Sequence, residues 1–323
     1  MSAAPSTALD YISAITQKRI VPFMIDQVTK TNTTWNLLVK NATFLDGGDY
    51  ISQPVLTSLP TSAAIAYSGA DVFPQNFQEN EQGAVFDWKF YGISVDITGP
   101  DEVRNDGVAA ALNLVKLRMQ EAEIALRDTL GSHLQGDGTA NNGKAFIGWR
   151  GAIDDGSVVD NYGGISRAAY PVWKAFRSAN GGVLRPLTLS LMDTATQNVS
   201  WDSDVPNLYV TTPGILTKFI SLLQPMQRIN SAEVGVAGYK NVFYRGYPII
   251  SDMQVQTSPS EIMWGINTRY IQLYIKNGRF FKWVPFQRQG NQDVITSKIL
   301  LALALVVSRP ASQFQITDLS SAL

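Results

Sequence analysis

The chain has 323 residues, 45% hydrophobic and only 16% charged, with a formal net charge of -1. That length buries a substantial core, as two domains or one with large insertions, and the near-neutral balance excludes tight nonspecific DNA binding through clustered cations. The absence of cysteine excludes disulfides, thiolate zinc sites and cysteine nucleophiles, and the single histidine, His133, excludes multi-histidine metal sites. Charged residues fall below the usual quarter, so other chains are expected to cover much of the surface. No signal peptide opens the chain, and the longest apolar run, Ile299 to Val307, is too short to span a membrane. A soluble protein made in the cytoplasm is expected.

Residues 7 to 40 form a first helical region, with Leu9, Ile12, Ile15 and Ile20 at near-helical spacing before Pro22 interrupts. Such a segment lies along a neighbour or packs on its own domain, and periodicity does not choose between the two. From Asn41 to Trp88 the composition changes. Gly47, Gly48, Pro54, Pro60, Gly69, Pro74 and Gly83 punctuate short extended pieces at Tyr50–Gln53 and Ala63–Tyr67. There is no Lys or Arg here, while Asp46, Asp49, Asp71, Glu79, Glu81 and Asp87 make the region acidic. A stretch this long without a core of its own works by touching something else, and it reads as a projecting hairpin.

Ala84 to Thr98 reads as strand, and Gly99-Pro100 breaks it. Residues 105–136 then predict one long helix, with Val108, Leu112, Val115, Met119, Ala122, Leu126 and Leu130 on a single stripe and Glu123 paired to Arg127. A loop-rich passage leads into a second domain. There Tyr170–Ser178 predicts a helix and Leu187–Met192 a strand or short helix. Asn207–Thr212 predicts a strand running into Pro213 and a helix over 214–224, an α/β-type alternation. The last third is mostly strand: Tyr247–Asp252, Glu261–Ile266, Tyr270–Ile275, a hairpin turn at Asn277-Gly278 returning through Phe280–Val284, and a long run over Val294–Val307.

No constellation for catalysis, cofactor binding or metal binding emerges. Gly138 to Ala145 nearly spells a phosphate-binding loop, but Ala145 replaces the required hydroxyl residue and the segment follows a helix instead of a strand. His133, at a helix C-terminus, suits a structural role. Asp154-Asp155 and Asp202 with Asp204 are turn sequences with too few oxygen ligands for a cation. Glycosylation-type tripeptides at Asn32, Asn41 and Asn198 carry no weight without secretion. The tryptophans and tyrosines are scattered through strands, which indicates packing instead of a stacking surface. A metal-free hydrolase pairing His133 with a nearby Ser is the reading from another functional class.

The order of pieces resembles the major capsid protein of tailed bacteriophages, the Hong Kong 97-type shell fold. Four passages carry the resemblance: Phe86 to Val95 feeding the helix, the helix ending at Leu134 to Gly138, the apolar exit Phe146 to Ile153, and the close Leu301 to Pro310. The resemblance implies an α+β fold with an N-terminal arm (1–40), an extended loop (41–88) and a peripheral domain (89–151) holding the spine helix (105–136). It further implies an axial domain (152–255), peripheral return strands (256–307) and a tail rejoining the axial domain (308–323). The implied function is self-assembly as pentamers and hexamers into an icosahedral virion shell around double-stranded DNA, without enzymatic activity, built in the host bacterial cytoplasm. An encapsulin-like compartment around an enzyme is the alternative.

The implied partners are copies of the chain, a separate scaffolding protein, a portal, decoration proteins and weakly, nonspecifically contacted DNA, with no membrane. Asp46, Asp49, Asp71, Glu79 and Glu81 would face Arg245, Arg279, Lys282 and Arg288 of a neighbour. Some relatives weld a loop Lys to an Asn near the final strand. Asn291 is placed as an acceptor, but the loop has no Lys, so no such crosslink is expected. The chain starts almost at once with the arm helix, so scaffolding is expected from a separate protein or from a segment already removed.

Overall fold

A computed structural model describes residues 32–59, 64–69, 71–72, 80–100, 114–201, 204–227, 242–288 and 290–322. In chain order, helix α1 (Thr33–Lys40) precedes β1 (Thr43–Leu45), β2 (Tyr50–Leu56), β3 (Glu81–Asp87) and β4 (Lys89–Thr98). Helix α2 (Leu114–Leu134) follows, then single helical turns at Ala140–Gly143 and Trp149–Ala152, and the short pair β5 (Asn161–Tyr162) and β6 (Ile165–Ser166). Next come β7 (Phe176–Ser178), α3 (Leu189–Val199), β8 (Leu208–Thr211), α4 (Pro213–Gln227), β9 (Val242–Tyr244) and β10 (Tyr247–Ser251). The chain continues through β11 (Glu261–Ile266), β12 (Ile271–Lys276), β13 (Lys282–Arg288), β14 (Val294–Val307) and β15 (Phe314–Leu319). Mixed helix and sheet in this order is an α+β architecture.

The described residues divide into two compact units, the first within 91–128 and 279–301, the second within 30–90, 129–278 and 302–323. In the first unit, β4 alternates, burying Tyr91, Val95 and Ile97 while Ser94, Asp96 and Thr98 stay exposed. β13 pairs antiparallel with the first half of β14, from Lys282 opposite Leu300 to Arg288 opposite Ile295. The register slips by one residue between Val284 and Gln287, at Pro285, which has no N–H for a ladder. Gly99 donates its N–H to the Asp293 carbonyl, and a Cβ at Gly99 would lie 1.8 Å from the Asp293 carboxylate, which would have to swing aside. Along α2, Ala122 and Leu126 in this unit and Leu130 and Leu134 in the other are buried at helical spacing.

The second unit is built on a six-stranded sheet in the order β7-β15-β11-β8-β10-β9. β15 runs parallel to β7 and antiparallel to β11, and β11 is buried at every position. Helix α3 packs on β15 and β7, and α4 packs on β10. Between helices and sheet lies a core of Leu187, Met192, Phe219, Tyr244, Met263 and Phe314 with their neighbours. Tyr209 sits at its centre, its ring edge-on to Tyr244 at 5.3 Å and tilted against Phe314 at 6.1 Å. The second half of β14 pairs with β12, which pairs in parallel with β1.

Several expectations need correction. Tyr170–Ser178 is a 3-10 turn (Pro171–Trp173) followed by strand β7, because Phe176–Ser178 finds a partner in Phe314–Ile316. Asn277-Gly278 does not close a hairpin: β12 pairs with the second half of β14 and β13 with its first half. Leu187–Met192 resolves as the entry to α3, capped by the Thr188 side chain accepting from the Leu191 N–H. The single strand over Ala84–Thr98 is two strands, interrupted at Trp88. The α/β alternation is replaced by a mixed sheet, since β11 and β15 insert antiparallel to each other from distant parts of the chain. Residues 64–67 carry no strand, and the expected helix is described from Leu114 to Leu134, with residues 105–113 outside the described residues. The arm pattern before Asn32 also lies outside the described residues.

Candidate subunit-contact surfaces

The hairpin of β2 and β3 pairs Tyr50 with Asp87 through to Leu56 with Glu81. A two-stranded ribbon is marginal by itself, and this one is pinned at one end. The Val85 N–H donates to the Gly163 carbonyl at 2.8 Å, and Phe86 packs edge-on to Tyr162 at 5.2 Å. Gly163 has φ +63 and a Cβ there would come within 2.9 Å of the Phe86 ring, so the β5–β6 turn must be glycine to seat the hairpin. The Trp88 indole N–H donates to the Gly48 carbonyl at 3.0 Å while the Lys276 ammonium lies 5.8 Å over its ring. A cleft of about 430 Å³ opens beside this anchor, lined in part by Phe86, Phe146, Tyr162, Leu305, Lys89 and Asp137.

Away from the anchor the described residues leave much of the hairpin exposed. Thr57 donates N–H and hydroxyl to the Asn80 carbonyl, which clamps the two strands where their pairing ends. Beyond them Leu59, Ile65 and Tyr67 are exposed and Val72 is 90% exposed, while Tyr50 and Leu56 project from β2. Apolar side chains grouped on a narrow ribbon mark a contact surface.

Asp46, Asp49, Asp71 and Glu81 are exposed on this segment, and Glu79 lies outside the described residues. Asp71 is engaged locally, accepting from the Ser68 N–H at 2.7 Å. The four cations expected to face them are divided between the two units. Arg279, Lys282 and Arg288 are exposed on and beside β13 of the first unit. Arg245 belongs to the second unit, in the β9–β10 turn, where it pairs with Asp193 at 2.7 Å and covers the Tyr244 ring. The Tyr244 hydroxyl, then Arg245, holds the Asp193 carboxyl below its usual range, while burial pushes the Tyr244 phenol up. Sequence reasoning missed Lys298, exposed on β14 opposite Val284, and the half-exposed Trp283. β13 ends the strand order of its sheet, and an edge carrying Lys282, Pro285 and Arg288 resists further strand pairing. Its side chains, more than its backbone, are what it offers a partner.

The other candidates resolve into structural devices. Asp154 is fully buried and accepts from the Gly156, Val158 and Val159 amides and from the Gln315 side chain, which leaves it no capacity for an ion. Arg167, also fully buried, lies 3.9 Å from it and donates to the carbonyls of Gly151, Ala152, Val159 and Trp173. Asp204 collects the Tyr270 hydroxyl and the Arg309 guanidinium, whose charge lies over the Trp201 and Tyr270 rings. The Tyr270 hydroxyl, then Asn267 and the Arg269 and Arg309 charges, holds the Asp204 carboxyl low. Burial lowers the His133 pKa, which weakens any charge it lends to the α2 terminus. Gly138 to Ala145 is a tight turn with Asn141 and Asn142 at positive φ, organised by Asp137 accepting from Thr139. Among the described residues no group of three or more His, Asp or Glu is placed to hold a metal, and no helix is long and apolar enough to cross a membrane.

No protein-family model matches the sequence, and no curated protein sequence matches it. Solved structures do. The capsid asymmetric unit of cyanophage A-1(L) superposes with a TM-score of 0.72 at 15% identity, covering 93% of this chain and 96% of that one. The holo-SrpI encapsulin complex from Synechococcus elongatus PCC 7942 gives 0.62 at 12% identity, covering 100% and 98%. The capsid of Myoviridae phage XM1 gives 0.61 at 9% identity, covering 98% and 99%. Over nearly its whole length, the chain has the fold of phage capsid and encapsulin shell subunits.

Proposed function

We propose that the chain is the major capsid protein of a tailed bacteriophage, forming pentamers and hexamers that close into an icosahedral shell around double-stranded DNA. The observation that carries this reading is the end-to-end likeness to a phage capsid subunit at a TM-score of 0.72. A hairpin with uncovered apolar side chains supports it, because shells close through overlapping arms that each bury modest surface on a neighbour. In this reading residues 41–88 are the overlapping loop, 105–136 the spine and 152–255 the axial domain. The loop carboxylates Asp46, Asp49, Asp71, Glu79 and Glu81 face Arg279, Lys282 and Arg288 of the next subunit. Arg245 is the weakest of the proposed donors, since Asp193 already holds it. A separate scaffolding protein, a portal and decoration proteins are further partners, the shell is the virion, and the host cytoplasm is where it forms.

A second reading, a protein compartment around an enzyme, is favoured by the encapsulin likeness over 100% of the chain. Electron microscopy of the purified protein with nuclease-protected absorbance separates the two. Closed particles retaining DNA support the virion, closed particles retaining a protein cargo support the compartment, and monomers at high concentration overturn both. A denaturing gel of the particles should show single chains; a covalent ladder would contradict the expectation drawn from a loop without lysine.

A further inference from the structure

We propose that Asn277 is a self-modification site: without any enzyme it loses its side-chain amide to attack by the Gly278 nitrogen and becomes a mixture of aspartyl and isoaspartyl residues. The sequence places Gly directly after Asn at Asn142, Asn180 and Asn277. Asparagine is a thermolabile residue, and a following glycine, with no Cβ, lets the backbone nitrogen come closest to the side chain. Sequence alone makes these sites equivalent. The fold separates them.

At Asn142 the attacking group is occupied. The Gly143 N–H donates to the Thr139 carbonyl at 3.1 Å, inside a turn that also holds Lys144 and Ala145 by their amides. At Asn180 the side chain is occupied. Its Nδ2 donates to the Val183 carbonyl at 2.7 Å, while the N–H groups of Asn180 and Gly182 donate to the Asp318 carboxylate. Asn277 has neither restraint. Its N–H donates to the Leu45 carbonyl at 2.9 Å, which anchors its main chain just past the end of β12. Beyond that bond, no described residue pairs with its carboxamide or with the Gly278 N–H. Both residues are exposed, Gly278 has φ +71, and a Cβ built there would meet nothing within 4 Å. Water and base therefore reach the pair, and a turn that closes no hairpin leaves nucleophile and electrophile free to meet.

Base takes the Gly278 amide proton, and the nitrogen attacks Asn277 Cγ. The N–Cγ bond forms, the Cγ–Nδ2 bond breaks, and ammonia leaves with that proton. Water then opens the cyclic imide. Cleavage at Cγ leaves an aspartyl side chain; cleavage at the main-chain carbonyl leaves an isoaspartyl link, with an extra methylene in the backbone. Nothing is oxidised or reduced. Either product puts a carboxylate between Lys276 and Arg279, where the chain now carries a neutral amide. The site would exist whatever a shell encloses.

The test follows the purified full chain at mildly alkaline pH by peptide mass spectrometry, with an isoaspartyl-specific methyltransferase to label the rearranged product. Asn277 is expected to convert at least about fivefold faster than Asn142 or Asn180, the factor by which one net hydrogen bond slows a reaction that must first break it. In denaturant the rates at these positions should converge, because the turns are gone. Asn277→Gln should remove most of the methyl label and the new acidic band on isoelectric focusing. An Asn277 that keeps its amide while the denatured chain converts, or a folded Asn142 or Asn180 that converts as fast, overturns the site. A rate ratio unchanged by denaturant overturns the role given to the turns.

Discussion

The six-stranded sheet and the β2–β3 hairpin use apolar residues in opposite ways. In the sheet every position of β11 is buried, and Phe314 closes on Gly265, where a Cβ would lie 2.0 Å from its ring. In the hairpin Tyr50, Leu56 and Val85 are exposed, and the Phe86–Gly163 end holds the ribbon to the body. The sheet covers its apolar residues with its own chain, whereas the hairpin leaves several of them exposed. The contrast predicts that lesions in the one destroy the protomer and lesions in the other spare it but block association.

The largest effects belong to the sheet and its supports. Phe314→Ala should cost about 3–5 kcal/mol by opening a cavity in the core, read as a fall in the denaturant midpoint of the dissociated protomer. Arg167→Met should cost about 3–5 kcal/mol, since it leaves the buried Asp154 with only the more distant support of Arg177 and takes the Arg167 donors from four carbonyls. Adding Asp154→Asn should restore part of that stability, because the two residues share one network; strict additivity would show that they act separately.

Next in size is the hairpin. Tyr50→Ser with Leu56→Ser should change protomer stability by no more than about 0.5 kcal/mol each. The protein concentration needed for association should rise roughly tenfold for each ~1.4 kcal/mol removed from the interface. Equal damage to folding and association would erase the distinction between the two regions.

Acid should act on the second unit. The carboxyls of Asp193 and Asp204 are held below the ordinary aspartate value in the folded protein. Their contribution is therefore present above the unfolded value and fades as pH falls through the lowered folded value. Stability should be flat in this respect from pH 7 to about 5 and decline below about 4, with Asp204→Asn flattening part of the decline in pH-dependent melts. The smallest effect is expected from Asp46→Asn, Asp49→Asn and Glu81→Gln, at about 0–1 kcal/mol per exposed pair. It should be visible only as weaker salt dependence of association, and salt-insensitive association would remove the proposed charge contact.

Strong local patterns were legible in the sequence. The run Val294–Val307 is one strand with those bounds, and Pro213 opens the helix that follows β8. The hairpin's acidity was plain from the missing lysines, and its exposed carboxylates follow from it. What escaped depended on partners far along the chain. Phe176–Ser178 looks helical until Phe314–Ile316 lies beside it, and Asn277-Gly278 looks like a hairpin until β14 separates the strands. Nothing in the sequence singles out Arg167, and only the fold surrounds it with carbonyls. Asp204 meets Tyr270 and Arg309 across 66 and 105 residues, a separation over which spacing carries no signal.

The place of β15 has a consequence for synthesis. Every other strand of its sheet is encoded upstream, yet β15 is the one lying between β7 and β11. A chain synthesised only as far as Ile266 has an open slot in this sheet, in which β7 rests on α3 but lacks its strand neighbour. Closure waits for Leu319 to clear the exit tunnel, so a half-translated nascent chain offers no finished surface on which a neighbour could dock.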